Sequence, residues 1–352
     1  MTKTIAELET PCVLIDIDRV EANLKRAQAH ADANGYKLRP HIKTHKLPRF
    51  AKRQVELGAV GITAQKLGEA EVMADAGLND IFLPYNIIGA TKLGRLKALN
   101  DRVTLAVTAD SPETVTGYAA TFAGASRKLT VLVECDTGGE RCGVQTQVQA
   151  LALARQIAGT EGLRFGGLMT YSPPGGTDKA EAWLRQAVGL LKQAGLEPVV
   201  VTAGNTPDMW WTGESVVTER RPGTYIYYDR FQVQKGAASW DDCALAVLAT
   251  VVSRPTSTRA VVDAGSKALT SDLLGQEGYG LVMGTDLVVK ALSEEHGVIE
   301  MGTASDMPRI GDRLRIIPNH VCPVTNLFDS VNLVSGDAVI ETVPVAARGR
   351  VD

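Results

Sequence analysis

Arg39-Pro40-His41-Ile42-Lys43-Thr44-His45-Lys46 concentrates basic and imidazole side chains in one short stretch. If the segment from Tyr36 runs as a strand, residues two apart share a face, so Arg39, His41, Lys43 and His45 project together. A lysine enclosed in a site has its charged form disfavoured, which frees its amine to act as a nucleophile, commonly through a Schiff base. The plain alternatives are a solvated edge strand and an ion-paired Lys43. Farther on, Glu134-Cys135-Asp136-Thr137-Gly138-Gly139-Glu140-Arg141-Cys142-Gly143 has the glycines of a tight turn. Its Arg141 could lean a planar fork on an anionic or phenolate oxygen, or be a surface arginine on a structural loop. Val201-Thr202-Ala203-Gly204-Asn205-Thr206-Pro207 and Arg221-Pro222-Gly223-Thr224-Tyr225 offer small residues, hydroxyls and backbone N–H groups suited to phosphate. An imine-forming lysine with a phosphate cup suggests pyridoxal 5′-phosphate (PLP), which uses both.

A further cluster is Pro318-Asn319-His320-Val321-Cys322-Pro323. In an extended segment His320 and Cys322 share a face, and imidazole with thiolate suits zinc. Two ligands alone leave open a core histidine beside a buried thiol. Leu292-Ser293-Glu294-Glu295-His296-Gly297 is polar and reads equally as a solvated turn. His30 reads as a surface residue of the first helix.

These groups need elements to position them. Thr10 to Asp16 reads as a strand, followed by a helix from Asp18 to about Ala33 with Asp18 as its N-cap and Gly35 as its stop. Apolar runs then recur at Tyr36–His41, Gly58–Ala64, Asp80–Tyr85, Val103–Ala109, Leu129–Asp136, Phe165–Tyr171, Pro198–Ala203 and Gly223–Tyr228, mostly with helical stretches between them. Eight strands alternating with helices predict a (β/α)8 TIM-type barrel, an open doubly wound sheet being the alternative. In a barrel the strand C-termini carry the chemistry, and here they bring Lys43, Gln65, Tyr85, Asp136, Tyr171 and Thr202 to Asn205 to one end. After Asp229 short β-branched runs with few helices predict a mainly β domain. The expected division is a barrel over 16–234 and a β domain over 235–352 joined by 1–15.

The 352 residues suffice for a large core, and 45% hydrophobic with 22% charged residues are globular proportions. A net charge of −3 gives no electrostatic reason for nucleic acid or anionic lipid partners. Neither a membrane-spanning run nor the apolar core of a signal peptide is visible. Five scattered cysteines without a CxxC pair fit a reducing compartment, so the expected location is the cytoplasm.

Taken in order, Arg39–Lys46, the Asp136–Val144 loop, Ala203–Pro207, Arg221–Tyr225, Asp263–Lys267, Ser293–Gly297 and Pro318–Cys322 resemble the D-threonine aldolase and D-serine dehydratase family. These are fold-type III PLP enzymes related to alanine racemase, and the resemblance runs from about Thr10 to Asp329. It implies a homodimer of barrel-plus-β-domain chains acting on a small D-β-hydroxy amino acid. Residue by residue, it implies that Lys43 holds PLP and removes the substrate α-proton. Arg141 would lie near the cofactor's phenolic oxygen and Tyr171 by its ring. Gly204, Asn205, Thr206, Gly223, Thr224 and Tyr225 would make the phosphate cup. His320 and Cys322 would bind a divalent metal, zinc with manganese as the alternative. Family aldolases resemble one another in using His-x-Asp for the metal, whereas dehydratases use His-x-Cys, as here. The aldolases also tend to carry a histidine soon after the tyrosine that matches Tyr171, and Tyr171-Ser172-Pro173-Pro174-Gly175-Gly176 lacks it. The resemblance thus favours dehydration to a 2-oxo acid and ammonia over retro-aldol cleavage to glycine and an aldehyde. A non-catalytic PLP carrier or an amino-acid racemase, the latter needing a second acid/base such as Tyr279, completes the alternatives.

Overall fold

Near-continuous apolar runs in the first part of the chain form strands buried on both faces, as a parallel sheet covered by helices requires. The computed structural model describes residues 3–300 and 308–352. Two units emerge: Ala27–Lys43, Leu47–Gly223 and Arg350–Asp352 form the first, and the second takes the residues up to Arg26, Thr44–Lys46 and Thr224–Gly349. Strand β1 (Cys12–Asp16) lies in the second. The first unit holds β2 (Lys37–Leu38), β3 (Ile62–Thr63), β4 (Asp80–Leu83), β5 (Thr104–Ala109), β6 (Leu129–Cys135), β7 (Leu163–Thr170), β8 (Val200–Ala203) and β9 (Glu219–Arg220).

These eight strands pair in parallel in the order β2-β9-β8-β7-β6-β5-β4-β3. A parallel bridge between His41 and Thr63 joins the two edges, with Val60 N–H donating to Leu38 O at 2.9 Å and Thr63 N–H to Pro40 O at 2.8 Å. The sheet is therefore curled into the expected (β/α)8 barrel. Its helices carry local start signals: Ser111 caps Pro112–Phe122, and Thr146 with Gln149 forms a capping box for Gln147–Ala158. Phe82, Leu132 and Met169 form a core cluster packed by Ala106 and Val200. Asp80, Phe82, Leu132, Val200 and Glu219 also line a cavity of about 200 Å³ at the strands' N-terminal side.

Two expected strands differ. Tyr36–His41 keeps only Lys37–Leu38 as strand, and Ile42–Thr44 is a 3-10 turn. Pro40 has no N–H for the ladder, so the run cannot continue flat. Lys43 and His45 therefore do not extend one strand face with Arg39. Similarly, the eighth strand is Glu219–Arg220 and not Gly223–Tyr228, because Pro222 interrupts the ladder and Thr224–Ile226 coils.

The second unit contains β1 with β10 (Leu245–Thr256), β11 (Arg259–Val262), β12 (Gly280–Val282), β13 (Val289–Leu292), β14 (Gly297–Glu300), β15 (Arg313–Pro318), β16 (Ser330–Ser335) and β17 (Ala338–Pro344). Their order is β13-β14-β11-β10-β1-β16-β17, with β15 pairing both β10 and β12. Ile5, Leu8, Leu14, Leu248, Val334 and Val339 pack one of its cores. The expected mainly β part is thus present. The first helix runs Ile17–Ala33, and Asp16 rather than Asp18 caps it, its Oδ1 accepting the N–H groups of Asp18 and Arg19 at 3.1 Å each. Among the described residues no helix is long and apolar enough to cross a membrane.

Strands β7 and β8 approach closely at Gly167, which pairs with Val200. Gly167 has φ +140°, and a Cβ there would meet Val200 O at 1.8 Å. Gly167→Ala should destabilise the protein by roughly 2–4 kcal/mol through overpacking and backbone strain, read as a lowered urea midpoint; an unchanged midpoint would contradict this packing.

Candidate active site

In the barrel unit, the turn that follows β2 presents Lys43 to solvent. Its backbone N–H donates to His41 Nδ1 at 3.3 Å, and His41 Nε2 lies 3.0 Å from Gln65 Oε1. Among the described residues the Lys43 amine has no hydrogen-bond or ion-pair partner, which suits an amine that is to bond to a carbonyl. The ion-paired alternative is therefore absent.

The loop after β6 is shaped by Asp136. Its Oδ1 accepts the N–H groups of Gly138 at 2.9 Å, Gly139 at 2.8 Å and Glu140 at 3.2 Å. Burial opposes ionisation of this carboxyl, but those bonds and one from Gln145 outweigh it and hold its pKa below the ordinary range. The loop delivers Arg141, whose guanidinium carbon lies 4.9 Å from the Tyr171 ring centroid. A cation over a ring face is attracted by the ring quadrupole, so the two side chains orient each other.

The loop after β8 offers donors. Gly204 has φ +99°, and the N–H groups of Gly204 and Asn205 find no acceptor among the described residues. Orphaned donors on a buried turn fit a phosphate group. The Asn205 side chain holds this loop in shape: Nδ2 donates to Ser172 O at 3.0 Å and Oδ1 accepts Asp208 N–H at 2.8 Å. Gly223 N–H donates to Thr206 Oγ1 at 3.2 Å, which joins the two phosphate segments.

The sequence reading missed two charged residues here. Arg221 is 5% exposed and donates to Thr202 Oγ1 at 2.5 Å and to Thr170 O at 2.7 Å. Burial lowers its pKa to about 10, against the opposing charges of Glu219 and Glu134. Glu134 is also buried and accepts a 3.3 Å bond from Thr108 Oγ1. Burial and then Asp110 raise its pKa, while Arg141 and Arg221 oppose the rise. Both stood inside motifs already singled out, but only the fold shows which side chains turn inward.

In the β unit, His320 immediately precedes the helix Val321–Leu327 and Cys322 sits in its first turn. The segment is not extended as expected, yet the helix start still brings the imidazole and thiol into hydrogen-bond contact. Nδ1 of His320 lies 2.7 Å from Asp272 Oδ2, which fixes the ring and leaves Nε2 as the nitrogen that could bind a metal. Burial lowers the His320 pKa, but the bond to Cys322, the charge of Cys322 and the bond to Asp272 together raise it to about 9. Cys322 Sγ is also 3.1 Å from Thr44 Oγ1 and 3.8 Å from Thr224 Oγ1. Thr224 and the fully buried Tyr225 belong to this unit.

Two buried groups hold this cluster. Asp229 Oδ1 caps Arg230–Gln234 through Gln232 N–H at 3.0 Å, and Oδ2 accepts Val321 N–H at 3.1 Å. Its pKa is pushed up to about 6 by burial. Asn319 Nδ2 reaches Asp272 O at 3.0 Å and Gly278 O at 2.7 Å, which ties the Asp272 segment to the His320 segment. Nothing in the sequence pointed to Asp272, because its partner lies 48 residues away. Imidazole plus thiolate fits zinc, but among the described residues no group of three His, Cys, Asp or Glu could hold a metal. Elsewhere in the unit, Glu294 and Glu295 pair with Lys267 on the surface, as a solvated turn would. His30, read as a surface residue, instead packs its ring edge on Trp210 at 5.0 Å in the barrel unit.

Residues 15–230 match the alanine racemase N-terminal domain, and residues 244–334 match a putative serine dehydratase domain. The chain is 34% identical to a D-threonine aldolase of Arthrobacter sp., over 98% of this chain and 94% of the relative. It is 32% identical to the D-threo-3-hydroxyaspartate dehydratase of Delftia sp. (strain HT23), over 97% and 98%. The crystal structure of a D-threonine aldolase from Filomicrobium marinum superposes with a TM-score of 0.91 at 32% identity, over 100% and 99% of the two chains. A D-threo-3-hydroxyaspartate dehydratase, solved as a cysteine-to-alanine mutant in the metal-free form, gives 0.90 at 31%, over 97% and 98%. On the strength of its fold and of relatives matched along nearly its whole length, the chain belongs to the D-threonine aldolase and D-serine dehydratase family of lyases.

Proposed function

We propose that this protein is a PLP- and divalent-metal-dependent lyase acting on D-3-hydroxy-α-amino acids, and that its reaction is β-elimination to a 2-oxo acid and ammonia. The observation that carries the choice of elimination is His320-Val321-Cys322, the His-x-Cys form. A dehydratase relative solved without metal as a cysteine-to-alanine mutant supports a metal-binding role for that cysteine.

Lys43 holds the cofactor through its amine and then serves as the base for the substrate α-proton. Gly204 and Asn205 receive the phosphate on their backbone N–H groups, with Thr206, Gly223, Thr224 and Tyr225 assigned to the same cup. Arg141 offers its guanidinium to the phenolic oxygen and Tyr171 supports the ring. When bound, PLP would supply an electron sink for the charge left at the α-carbon. His320 Nε2 and Cys322 Sγ hold the metal, and Asp272 keeps the imidazole turned for ligation. A zinc ion there, or manganese, supplies a Lewis acid for the β-oxygen. Retro-aldol cleavage is the second reading, favoured by the likeness to two D-threonine aldolases. We infer further that the working form is a cytoplasmic homodimer; light scattering of the purified protein should give twice the 37.5 kDa chain mass, and a monomer mass would refute the dimer.

Incubation with D-threonine, PLP and zinc or manganese should yield 2-oxobutanoate and ammonia. Glycine with acetaldehyde would replace elimination by the aldol reading. Lys43→Ala should abolish both turnover and the visible absorbance of covalently bound cofactor, and retained turnover would sink the assignment. Chelation should stop turnover and leave that absorbance in place, because the metal ligands are not the residues that hold PLP; activity unaffected by chelator would remove the metal role from His320 and Cys322.

A further inference from the structure

One row of polar side chains crosses the interior of the barrel unit. Arg39 Nη1 donates to Asp80 Oδ1 at 2.5 Å, and Arg39 Nε donates to Glu219 Oε2 at 2.8 Å. Thr202 Oγ1 donates to Glu219 Oε1 at 2.9 Å, and Arg221 Nη1 donates to Thr202 Oγ1 at 2.5 Å. The polarity of the row is fixed by chemistry. A guanidinium only donates and an ionised carboxylate only accepts. The Thr202 hydroxyl must therefore give its single proton to Glu219 and receive from Arg221, a combination no apolar side chain of its shape can copy.

The row also has a direction. Arg39, Asp80 and Glu219 line the cavity of about 200 Å³ on the N-terminal side of the strands. Phe82 lines the same cavity, and the Arg221 guanidinium carbon lies 5.6 Å from its ring centroid. The other end of the row reaches the catalytic side. Arg221 Nη2 donates to Thr170 O, the residue before Tyr171, and Arg221 N–H donates to Ala203 O, the residue before Gly204. Thr202 is 0% exposed, and Glu219 and Arg221 are each 5% exposed. Arg221 touches no carboxylate directly among the described residues, and the negative charge of Glu219 reaches it through one hydroxyl.

We propose that Glu219, acting through the Thr202 hydroxyl, is a positioning residue that fixes the Arg221 guanidinium between the Tyr171 and Gly204 segments, and so sets the affinity and electronic state of an anionic pyridoxal cofactor bound there. This rests on the PLP reading above. Glu219 and Thr202 would touch no substrate; they act through Arg221. A buried hydrogen bond to a charged group is costly to remove because the orphaned cation keeps its desolvation penalty.

The test compares two substitutions that separate hydrogen bonding from packing. Thr202→Val keeps volume and loses the hydroxyl, whereas Thr202→Ser keeps the hydroxyl and loses a methyl group. PLP is titrated into cofactor-depleted full-length protein, and both affinity and the visible absorbance maximum are read. Thr202→Val should weaken PLP roughly tenfold to hundredfold and move the maximum, while Thr202→Ser should stay within about threefold of the parent, by the same arithmetic. The reverse order, or a valine variant with parental affinity and spectrum, would overturn the proposal by showing that only packing matters. Should the valine variant fail to fold, Glu219→Gln carries the same expectation with its shape kept and Asp80 still pairing Arg39; parental PLP affinity in it would be equally fatal. A parent protein without Lys43-dependent absorbance would instead refute the PLP reading itself, and this inference with it.

Discussion

A guanidinium ion withdrawn from water into the middle of a barrel can be kept charged only by groups the barrel itself supplies. Arg221 meets that constraint with a backbone carbonyl, a threonine hydroxyl and an aromatic face. Its counter-charge comes from Glu219, which is shared in turn with Arg39, and Arg39 is shared with Asp80 at the partly exposed rim. Each charge in this chain is stabilised by the next, so the interior tolerates ions that would be prohibitive alone. That arrangement explains why the barrel interior is not a plain stack of aliphatic layers. Phe82, Leu132, Met169, Ala106 and Val200 supply the apolar packing, and the charged row threads past it.

The β unit solves an analogous problem on a smaller scale. An imidazole proposed to bind a metal has to be held in one orientation, with its partner thiol near it. Asp272 fixes the ring of His320, and Asn319 fixes Asp272's segment through its carbonyls. Asp229 adds the start of the helix that carries Cys322. Asn319 and Asp229 are fully buried, whereas His320 and Asp272 stay partly exposed, so the buried pair anchors segments whose imidazole end remains open to solvent.

Loops and strand ends deliver the chemistry in the barrel unit, while the strands set only where each loop begins. The two short strands β2 and β9 illustrate the cost of doing so. Each runs into a proline within two residues of its end, and each then coils into a 3-10 turn. The missing N–H breaks the ladder where the chain must leave the sheet, and Lys43 follows the first break while Thr224 and Tyr225 follow the second. Prolines that shorten a strand thus place the candidate site residues in turns.

Much of the fold and of the candidate site was legible in the sequence alone. Alternating apolar runs and helical stretches pointed to a helix-covered parallel sheet, because strands buried on both faces read as continuous apolar runs, and only the bridge from His41 to Thr63 decided that the sheet closes. The motifs around Lys43, Arg141, Gly204 and His320 marked the candidate site, because their residue types are chemically specific and close together in the chain. Tertiary structure alone decided the rest. Asp272 comes to His320 across a long separation, and Glu219 reaches Arg39 and Thr202 from a different strand. Such partners depend on register and on which face of a strand turns inward. A one-residue slip reverses every such face, and periodicity in a single sequence does not fix register to one residue.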